Sequence, residues 1–367
     1  MPPFSYPQEE ITEELAPLLL PAPDRRALLR RVHAASGVRT RHLALPLPRY
    51  RELGSFSAAN DAFIAVGTDL AEAAVRSALD AAELAPEDVD FLLFTSVTGI
   101  SAPSIDALLV SRLGLRPDVK RIPVFGLGCV AGAAGIARVA DYLTGHPDDV
   151  AVLVSVELCS LTLQRDDPSG ANLVASGLFG DGAAAVVVLG DARAARTPAG
   201  PGVATGPDVV ATRSRIYPGT VDDLGWAVGS SGFRIVLSPG LPGIIREHLG
   251  EDVAGFLAEH DLKAGDVGTW VVHAGGPKVL DAVAAALDLP DDALRRSWRS
   301  LERVGNLSSA SVLHVLADTL AQRSAAGSPP AGDEAVLLAV GPGISVELVL
   351  LRWPAQDVAG ARAEVAA

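Results

Sequence analysis

The sequence predicts an α/β fold made of two similar halves, in which each half has a β-sheet covered by helices. Three pairs of segments that occur in the same order in both parts of the chain predict this duplication. The composition permits it, because 49% of the 367 residues are hydrophobic and Ala, Val and Leu predominate, which suits helices layered on sheets. We place the halves at residues 1–205 and 206–367, which meet in an Ala-, Gly- and Pro-rich stretch, 193–206, expected to be a surface loop.

The first pair of segments consists of two predicted helices, which begin at Gly128-Cys129 and at Gly305-Asn306. In both segments the pattern Ala-Asp-x-Leu follows at the same spacing, at 140–143 and at 317–320. Apolar residues at helical spacing fill the interval in each case. Small residues open both segments, so we expect the first turn of each helix to pack tightly against a neighbour.

The second and third pairs are predicted strands on either side of these helices. Downstream, a strand, a glycine turn and a second strand occur at 150–156, 180–182 and 183–189, and again at 335–340, 341–343 and 344–351. Upstream, a helix end, an acidic turn and a strand occur at 82–96, and again at 257–273. The three pairs together predict a pseudo-twofold relation that brings Cys129 and Asn306 close to each other.

Composition also excludes several classes of function. The net charge of −14 argues against a nucleic-acid partner, which would require a basic surface. No apolar run approaches the ~20 residues that span a bilayer, and the first residues show no secretory signal, so we expect a cytoplasmic protein without a membrane span. The two cysteines and seven histidines show no metal-ligand spacing, and we predict no metal.

A group of arginines near the N-terminus stands out from this acidic background. Two interpretations are open: the group is a solvated helix face, or it is a phosphate-binding patch, since the guanidinium group matches phosphate geometry. The residues are Arg25, Arg26, Arg30, Arg31, Arg39 and Arg41.

Cys129 is the candidate nucleophile. It follows a strand-like run and opens a predicted helix, whose N-terminus carries about half a positive charge. That charge predicts a thiol pKa below its usual range of about 8.5 and a larger thiolate fraction. The alternative is that Cys129 is only a small buried hydrophobic residue.

His273 and Asn306 are the candidate partners of Cys129. His273 ends a predicted strand just before a glycine-rich turn, which is where sites form in α/β folds. Asn306 occupies the position equivalent to Cys129, where its amide can donate a hydrogen bond or, alternatively, cap the helix. Together they can stabilise the oxyanion when Cys129 attacks a thioester, and the enolate when malonyl loses carbon dioxide, without a metal or redox cofactor.

Five motifs in this order resemble the type III polyketide synthases, the chalcone synthase-like branch of the thiolase-fold condensing enzymes. The resemblance implies a duplicated thiolase-like αβαβα fold of five layers, a homodimer, and acyl-CoA and malonyl-CoA as substrates. It also implies a Cys129–His273–Asn306 triad, with the nucleophile in the first half and the other two residues in the second. The motifs are Gly128-Cys129-Val130-Ala131-Gly132, Gly177-Leu178-Phe179-Gly180-Asp181-Gly182-Ala183, His273-Ala274-Gly275-Gly276-Pro277, Gly305-Asn306-Leu307-Ser308-Ser309-Ala310 and Gly341-Pro342-Gly343.

The resemblance further implies which residues contact the substrates. Phe179 and Phe233 match gatekeeper phenylalanines between the CoA tunnel and the cavity. The other implied cavity residues are Cys159, Thr162, Trp226, Ser308 and Ala102, and the implied CoA-binding residues are Arg31, Lys278 and Gly276.

Departures from the family pattern bear on the product. Ala102 stands where plant enzymes have Met, and Val340 stands where Phe is usual, so we expect an enlarged cavity, a fatty acyl-CoA starter, and an alkylresorcinol or alkylpyrone product. Cys159 favours an alternative, a 1,3,6,8-tetrahydroxynaphthalene-type synthase that uses malonyl-CoA alone. A third possibility is a ketoacyl synthase III-like enzyme that performs one condensation. A non-catalytic partner subunit, the competing class, typically lacks the nucleophile that Cys129 provides.

Overall fold

Two four-stranded sheets form the frame of the molecule in the computed structural model, which describes residues 1–165, 167–197, 206–326 and 333–353. The helices of these residues are α1 Gln8–Leu19, α2 Arg26–Ala34, α3 Phe56–Ala81, α4 Ile105–Leu113, α5 Ala131–Gly145, α6 Gly170–Leu178, α7 Asp191–Arg196, α8 Leu241–Ala258, α9 Pro277–Ala286, α10 Arg295–Val304 and α11 Ser309–Ala326. The strands are β1 Phe4–Pro7, β2 Thr40–Leu43, β3 Phe91–Thr95, β4 Lys120–Val124, β5 Val150–Leu158, β6 Asp181–Leu189, β7 Asp208–Ile216, β8 Leu224–Gly229, β9 Gly232–Leu237, β10 Val267–Val272, β11 Glu334–Gly341 and β12 Ser345–Arg352.

The strand order confirms the predicted duplication. In the first sheet, of order β4-β3-β5-β6, β3 and β5 are parallel and β5 and β6 are antiparallel. In the second sheet, of order β10-β11-β12-β7, β10 and β11 are parallel and β11 and β12 are antiparallel. Three consecutive strands therefore repeat, and the halves differ in the added edge strand, β4 in one and β7 in the other.

The acidic turns before β3 and β10 contain the same hydrogen bond in both halves. Each turn is a short 3₁₀ helix, Pro86–Asp88 in the first half and Ala264–Asp266 in the second. Asp88 accepts a hydrogen bond from the Ala85 N–H at 2.9 Å, and Asp266 accepts one from the Lys263 N–H at 2.8 Å. Both carboxylates thus satisfy a backbone donor at the start of the turn, and this sets the chain's entry into the strand.

Helices α5 and α11 lie between the two sheets. Their apolar side chains form one core with residues from the facing sides of both sheets, for example Leu153 of β5 and Leu337 of β11. The outer faces of the sheets are covered separately, the first by helices that include α3 and α4, and the second by helices that include α8 and α9. The result is helix, sheet, helix, sheet, helix, which confirms the five-layer thiolase-like architecture.

Two parts of the chain differ from the expectation or fall outside the description. The β8–β9 hairpin was not predicted, and it places Trp226 and Phe233 beside the site described below. The expected loop at 193–206 begins inside α7, and residues 198–205 lie outside the described residues. Within the described part of the chain, no helix is both long enough and apolar enough to span a membrane.

Candidate active site

Cys129 lies in a one-turn 3₁₀ helix, Gly128–Val130, immediately before α5. Gly128 has a φ of +56°, a backbone conformation that favours glycine. A side chain there would also overlap the ring of Pro342, which belongs to the turn between β11 and β12. The Gly-Cys and Gly-Pro-Gly motifs therefore hold each other in place around the thiol.

The starts of α5 and α11 meet at Cys129, as the duplication predicted. The Cys129 thiol donates a hydrogen bond to Ser308 Oγ, with an Sγ–Oγ distance of 3.6 Å. One turn later, Gly132 packs so closely on α11 that an added Cβ would overlap the Ser309 carbonyl oxygen. Ser308 itself has a φ of +48°, which is strained for a residue with a side chain, and such strain concentrates at functional sites.

Asn306 connects the site to Phe179 through the backbone. The Asn306 N–H donates to the Leu178 carbonyl and the Gly180 N–H donates to the Asn306 carbonyl, both at 2.9 Å. The side-chain Oδ1 accepts from the Ser308 N–H at 2.8 Å, while Nδ2 donates to the Gly275 carbonyl at 3.2 Å. Asn306 therefore acts as a cap through its oxygen and presents an amide donor, so both proposed roles are compatible.

His273 follows β10 and is 3% exposed. Its N–H donates to the Leu338 carbonyl at 2.8 Å, and its side-chain Nδ1 has no hydrogen-bond partner among the described residues. Gly275, whose carbonyl binds Asn306, lies against the imidazole, since a Cβ there would be 3.3 Å from His273 Nε2. A continuous set of contacts thus runs from Cys129 through Ser308, Asn306 and Gly275 to His273.

The expected direction of the thiol pKa is wrong. Burial raises the pKa of Cys129 to about 12, and the charge of Glu157 raises it further, although the hydrogen bond with Ser308 acts in the opposite direction. Burial also lowers the pKa of His273 to about 4. Desolvation outweighs the hydrogen bonds of the thiol, and burial therefore favours the neutral form of both groups. Neutral His273 can then accept the thiol proton as attack proceeds.

Iodoacetamide alkylation tests this protonation state. Because the thiolate is the reactive form and the pKa of the thiol is raised, we expect the alkylation rate of Cys129 to rise about tenfold per pH unit between pH 6 and pH 9. Cys159 should react more slowly, because it is buried and burial raises its thiol pKa well above the usual range. Peptide mass spectrometry measures both rates. A pH-independent rate for Cys129 would indicate a preformed thiolate and contradict this expectation.

A cavity beside Phe179 brings together several residues implied by the family resemblance. Its empty volume of about 530 Å³ includes space open to solvent. Cys159, Thr162, Phe179 and Trp226 line it. Phe233 is buried and packs on Trp226, with ring centroids 6.2 Å apart. Ala102 and Val340 do not line this cavity.

The arginine group separates into different environments. Arg31 is exposed on α2, and Lys278 is exposed on α9, immediately after Gly276 and Pro277. Arg30 and Arg39 form ion pairs with Glu13 and Glu302. Arg41 differs from both interpretations of the group. It is only 2% exposed, because its acceptors, Gln8 Oε1 and the Phe179 carbonyl, lie inside the fold.

Glu157 is a buried acid that the sequence reasoning did not identify. It accepts hydrogen bonds from Ser309 Oγ at 2.5 Å, from Thr98 Oγ1 at 2.8 Å and from the Val97 N–H at 3.1 Å. Burial raises its pKa to about 7. Ser309 also contacts Ser155 Oγ at 2.5 Å, so this network ties β5 to the start of α11 directly behind Cys129. The only signal in the sequence was a charged residue within an apolar strand.

Comparisons with known proteins show the family of this chain. The chalcone and stilbene synthase N-terminal domain matches residues 22–192, and the C-terminal domain of the same family matches residues 208–354. The chain is 58% identical over 353 residues to the 1,3,6,8-tetrahydroxynaphthalene synthase of Streptomyces peucetius subsp. caesius. This match covers 96% of this chain and 91% of that protein.

Two further comparisons concern a more distant relative and a solved structure. The chain is 30% identical over 349 residues to an alpha-pyrone synthesis polyketide synthase-like protein of Mycobacterium tuberculosis, covering 94% of this chain and 86% of that protein. The crystal structure of the 1,3,6,8-tetrahydroxynaphthalene synthase of Streptomyces coelicolor A3(2), a bacterial type III polyketide synthase, superposes with a TM-score of 0.86 at 32% identity. The match covers 96% of this chain and 97% of that one.

Proposed function

Because this chain belongs to the chalcone and stilbene synthase family and is a type III polyketide synthase, we propose that it makes 1,3,6,8-tetrahydroxynaphthalene from malonyl-CoA alone. The observation that carries this proposal is the 58% identity, over nearly the whole chain, to a synthase of that product. The identity to the alpha-pyrone relative is 30%. Cys159, which favoured the same product in the sequence, lies on the cavity wall.

The site residues supply a sequence of steps for this reaction. Cys129 attacks the thioester carbon of malonyl-CoA, His273 accepts the thiol proton, and CoA leaves with that proton as its free thiol. A second malonyl-CoA then loses carbon dioxide, and the enolate oxygen accepts hydrogen bonds from Asn306 Nδ2 and from the imidazole. The enolate carbon attacks the Cys129 thioester and expels the Cys129 thiolate, which leaves the extended chain on CoA. Transfer of that chain back to Cys129 releases free CoA, and the cycle repeats before the chain cyclises.

Arg31 and Lys278 are suited to hold the CoA phosphates at the entrance. Both side chains are exposed, and the elements that carry them are adjacent, since a Cβ at Gly37, just after α2, would lie 3.5 Å from Pro277 Cγ. Gly276 has a φ of +135° and turns the chain from the His273 loop into α9. The basic groups therefore lie on neighbouring elements next to the His273 loop.

A starter panel tests the proposed product. With malonyl-CoA as the only substrate, we expect one main product with the mass and chromatographic behaviour of authentic 1,3,6,8-tetrahydroxynaphthalene. Parallel reactions with acetyl-CoA, hexanoyl-CoA or a long-chain acyl-CoA provide the comparison. If an alkylresorcinol or alkylpyrone forms only when a fatty acyl-CoA is present, the result would instead support the fatty acyl-CoA starter expected from the sequence. That expectation has less support, because Ala102 and Val340 do not line the described cavity.

We also propose a homodimer that forms along the β4 edge of the first sheet. Among the described residues, no strand pairs with the outer edge of its last strand, β4. The large apolar side chains of Ile122 and Phe125 are each 50% exposed there, and Ile100 is exposed in the neighbouring loop that carries Ala102. Exposed apolar side chains beside an open strand edge favour contact with a second copy.

Light scattering coupled to size-exclusion chromatography tests the dimer. The unaltered protein should elute with twice the mass of one chain. Ile122→Lys should shift the mass to that of a monomer, because it places a charge in the proposed interface. Val228→Lys, which alters an apolar side chain 66% exposed on the β8–β9 hairpin, is the matched control and should remain dimeric. A dimeric Ile122→Lys variant would place the interface elsewhere.

A further inference from the structure

The end of α6 is bound by three other parts of the chain. The last carbonyl groups of a helix have no partner within it, so a buried helix end needs donors from elsewhere. The Gly177 carbonyl accepts a hydrogen bond from Gln8 Nε2 at 2.6 Å, and the Phe179 carbonyl accepts one from Arg41 Nη1 at 2.7 Å. The carbonyl between them accepts one from the Asn306 N–H at 2.9 Å. Asn306 therefore shares one short backbone segment with two side chains that are distant from it in the sequence.

Gln8 and Arg41 act on this segment as one unit. Arg41 Nε donates to Gln8 Oε1 at 2.9 Å, so each side chain holds the other in place, and both are buried. The charge of Arg41 lies at the C-terminal end of α6, where the helix dipole stabilises a cation. Loss of either side chain would leave a buried carbonyl group without its donor, and we expect the segment to shift in response.

Strand β2, which carries Arg41, also binds the segment that leads into Asn306. Thr40 Oγ1 donates to the Arg303 carbonyl at 2.5 Å, near the end of α10. Gly305 follows with a φ of +75°, a conformation that favours glycine, and a Cβ there would lie 3.4 Å from Arg41 Cδ. Arg41 therefore lies against both segments that set the backbone position of Asn306, the end of α6 and the end of α10.

The backbone position of Asn306 determines where its amide donor lies. Its Oδ1 accepts from the Ser308 N–H at 2.8 Å, which fixes the side chain relative to its own turn, and its Nδ2 donates to the Gly275 carbonyl at 3.2 Å. A shift of the end of α6 would therefore move the donor along with the backbone. A displacement of about 1 Å in a catalytic group can cost about a hundredfold in rate.

We propose that Arg41 and Gln8 are positioning residues, which fix the amide donor of Asn306 by holding the end of α6. The inference rests on the proposed role of Asn306 as a donor to the enolate oxygen. Neither side chain has to reach the substrate, because the effect passes through the backbone hydrogen bond between Asn306 and α6. Loss of Arg41 should therefore slow enolate formation without weakening the binding of malonyl-CoA.

Steady-state release of carbon dioxide from labelled malonyl-CoA tests the proposal, because each enolate that forms releases one molecule whatever its later fate. Arg41→Met removes the donors and keeps an unbranched side chain. We expect kcat to fall about ten- to a hundredfold, with little change in KM. Arg41→Lys keeps the charge but lacks the planar group with several donors, so its loss should be smaller. An unchanged kcat in Arg41→Met would overturn the inference.

Arg323→Met is the matched control for general destabilisation. Arg323 is another largely buried arginine, with a side chain 14% exposed, and it lies near the other end of α11 from the site. Its contacts are with Thr269 and Asp333. We expect this variant to have a lower melting temperature and an unchanged kcat. A loss of kcat equal to that of Arg41→Met would assign the effect to general destabilisation and contradict positioning.

A double-mutant cycle with Asn306→Ala gives the sharper readout. If Arg41 acts only through Asn306, Arg41→Met should cause no further loss of kcat in a protein that already carries Asn306→Ala. A further loss on the order of tenfold in that background would show that Arg41 acts on another group, and would refute the inference. If Arg41→Met does not fold, Gln8→Met takes its place in the cycle, since it removes the donor to the Gly177 carbonyl.

The outcome is separable from that of the proposed function. The product made from malonyl-CoA alone is identified with the unaltered protein, without reference to Arg41. A synthase that makes tetrahydroxynaphthalene but keeps its kcat in Arg41→Met would retain the function and lose the inference. A protein with the expected cycle but another product would do the reverse. Full activity of Asn306→Ala would contradict the role of Asn306 and the inference together, and would leave the product assignment intact.

Discussion

Cys129→Ala should abolish polyketide formation while leaving measurable conversion of malonyl-CoA to acetyl-CoA and carbon dioxide. Condensation requires the acyl group to be held on Sγ, and no other described thiol lies in this turn, so we expect a loss of roughly a thousandfold or more. Decarboxylation requires only donors to the enolate oxygen. Those donors, Asn306 Nδ2 and the His273 imidazole, are held by backbone contacts that do not involve the thiol.

Product analysis and carbon dioxide release measure the two activities in the same preparation. Cys159→Ala is the matched control, since it removes the other cysteine from the cavity wall and should still condense malonyl units, although its product distribution can change. Loss of both activities in a Cys129→Ala protein with an unaltered melting temperature would contradict the division of roles. It would indicate that the thiol is needed to position the extender as well.

Gly132→Ala should damage both stability and turnover, even though alanine is the better helix former. An added methyl group would overlap the Ser309 carbonyl oxygen and lie 2.9 Å from Val312 Cγ1, and backbone at the start of α11 cannot move aside cheaply. Overpacking of this kind costs about 1–3 kcal/mol of unfolding free energy. Because Ser308 and Asn306 immediately precede α11, we expect turnover to fall about a hundredfold, as for a shift of about 1 Å in a catalytic group.

Gly145→Ala, at the other end of the same helix, separates this clash from the effect of helix propensity. A Cβ there would meet no atom within 4 Å, so the substitution should leave activity unchanged and stabilise the protein slightly. Chemical denaturation and steady-state kinetics measure both variants. A Gly132→Ala protein as stable and active as the Gly145→Ala protein would mean that the contact between α5 and α11 is looser than described.

Much of the fold was predictable because both halves carry the same short sequence patterns in the same order. The apolar runs of β5, β6, β11 and β12 have strand length, and the acidic turns before β3 and β10 mark their starts. The meeting of the two helix starts was predicted from symmetry alone, and the contact between Cys129 and Ser308 confirms it. The roles of the three triad residues remain predictions that the substitutions above test.

The errors concern properties that depend on distant parts of the chain. Arg41 belonged to a run of arginines, but its acceptors, Gln8 and Phe179, lie 33 and 138 residues away, and no local pattern indicates that it is buried. The thiol pKa of Cys129 was predicted from the adjacent helix, a local feature, whereas burial by the whole fold raises it. The β8–β9 hairpin was missed, although Gly229 and Gly232, on either side of two serines, gave a weak turn signal in the sequence.

The pairing of Phe179 with Asn306 has a consequence for how such an enzyme can diversify. Backbone atoms alone make the two hydrogen bonds that hold Asn306 against the segment Leu178–Gly180, and the Phe179 carbonyl is held by Arg41. The side chain at 179 contributes to none of these bonds. Its size can therefore change without moving the amide of Asn306, so that substrate choice and bond-forming chemistry can be inherited, and engineered, as separate traits.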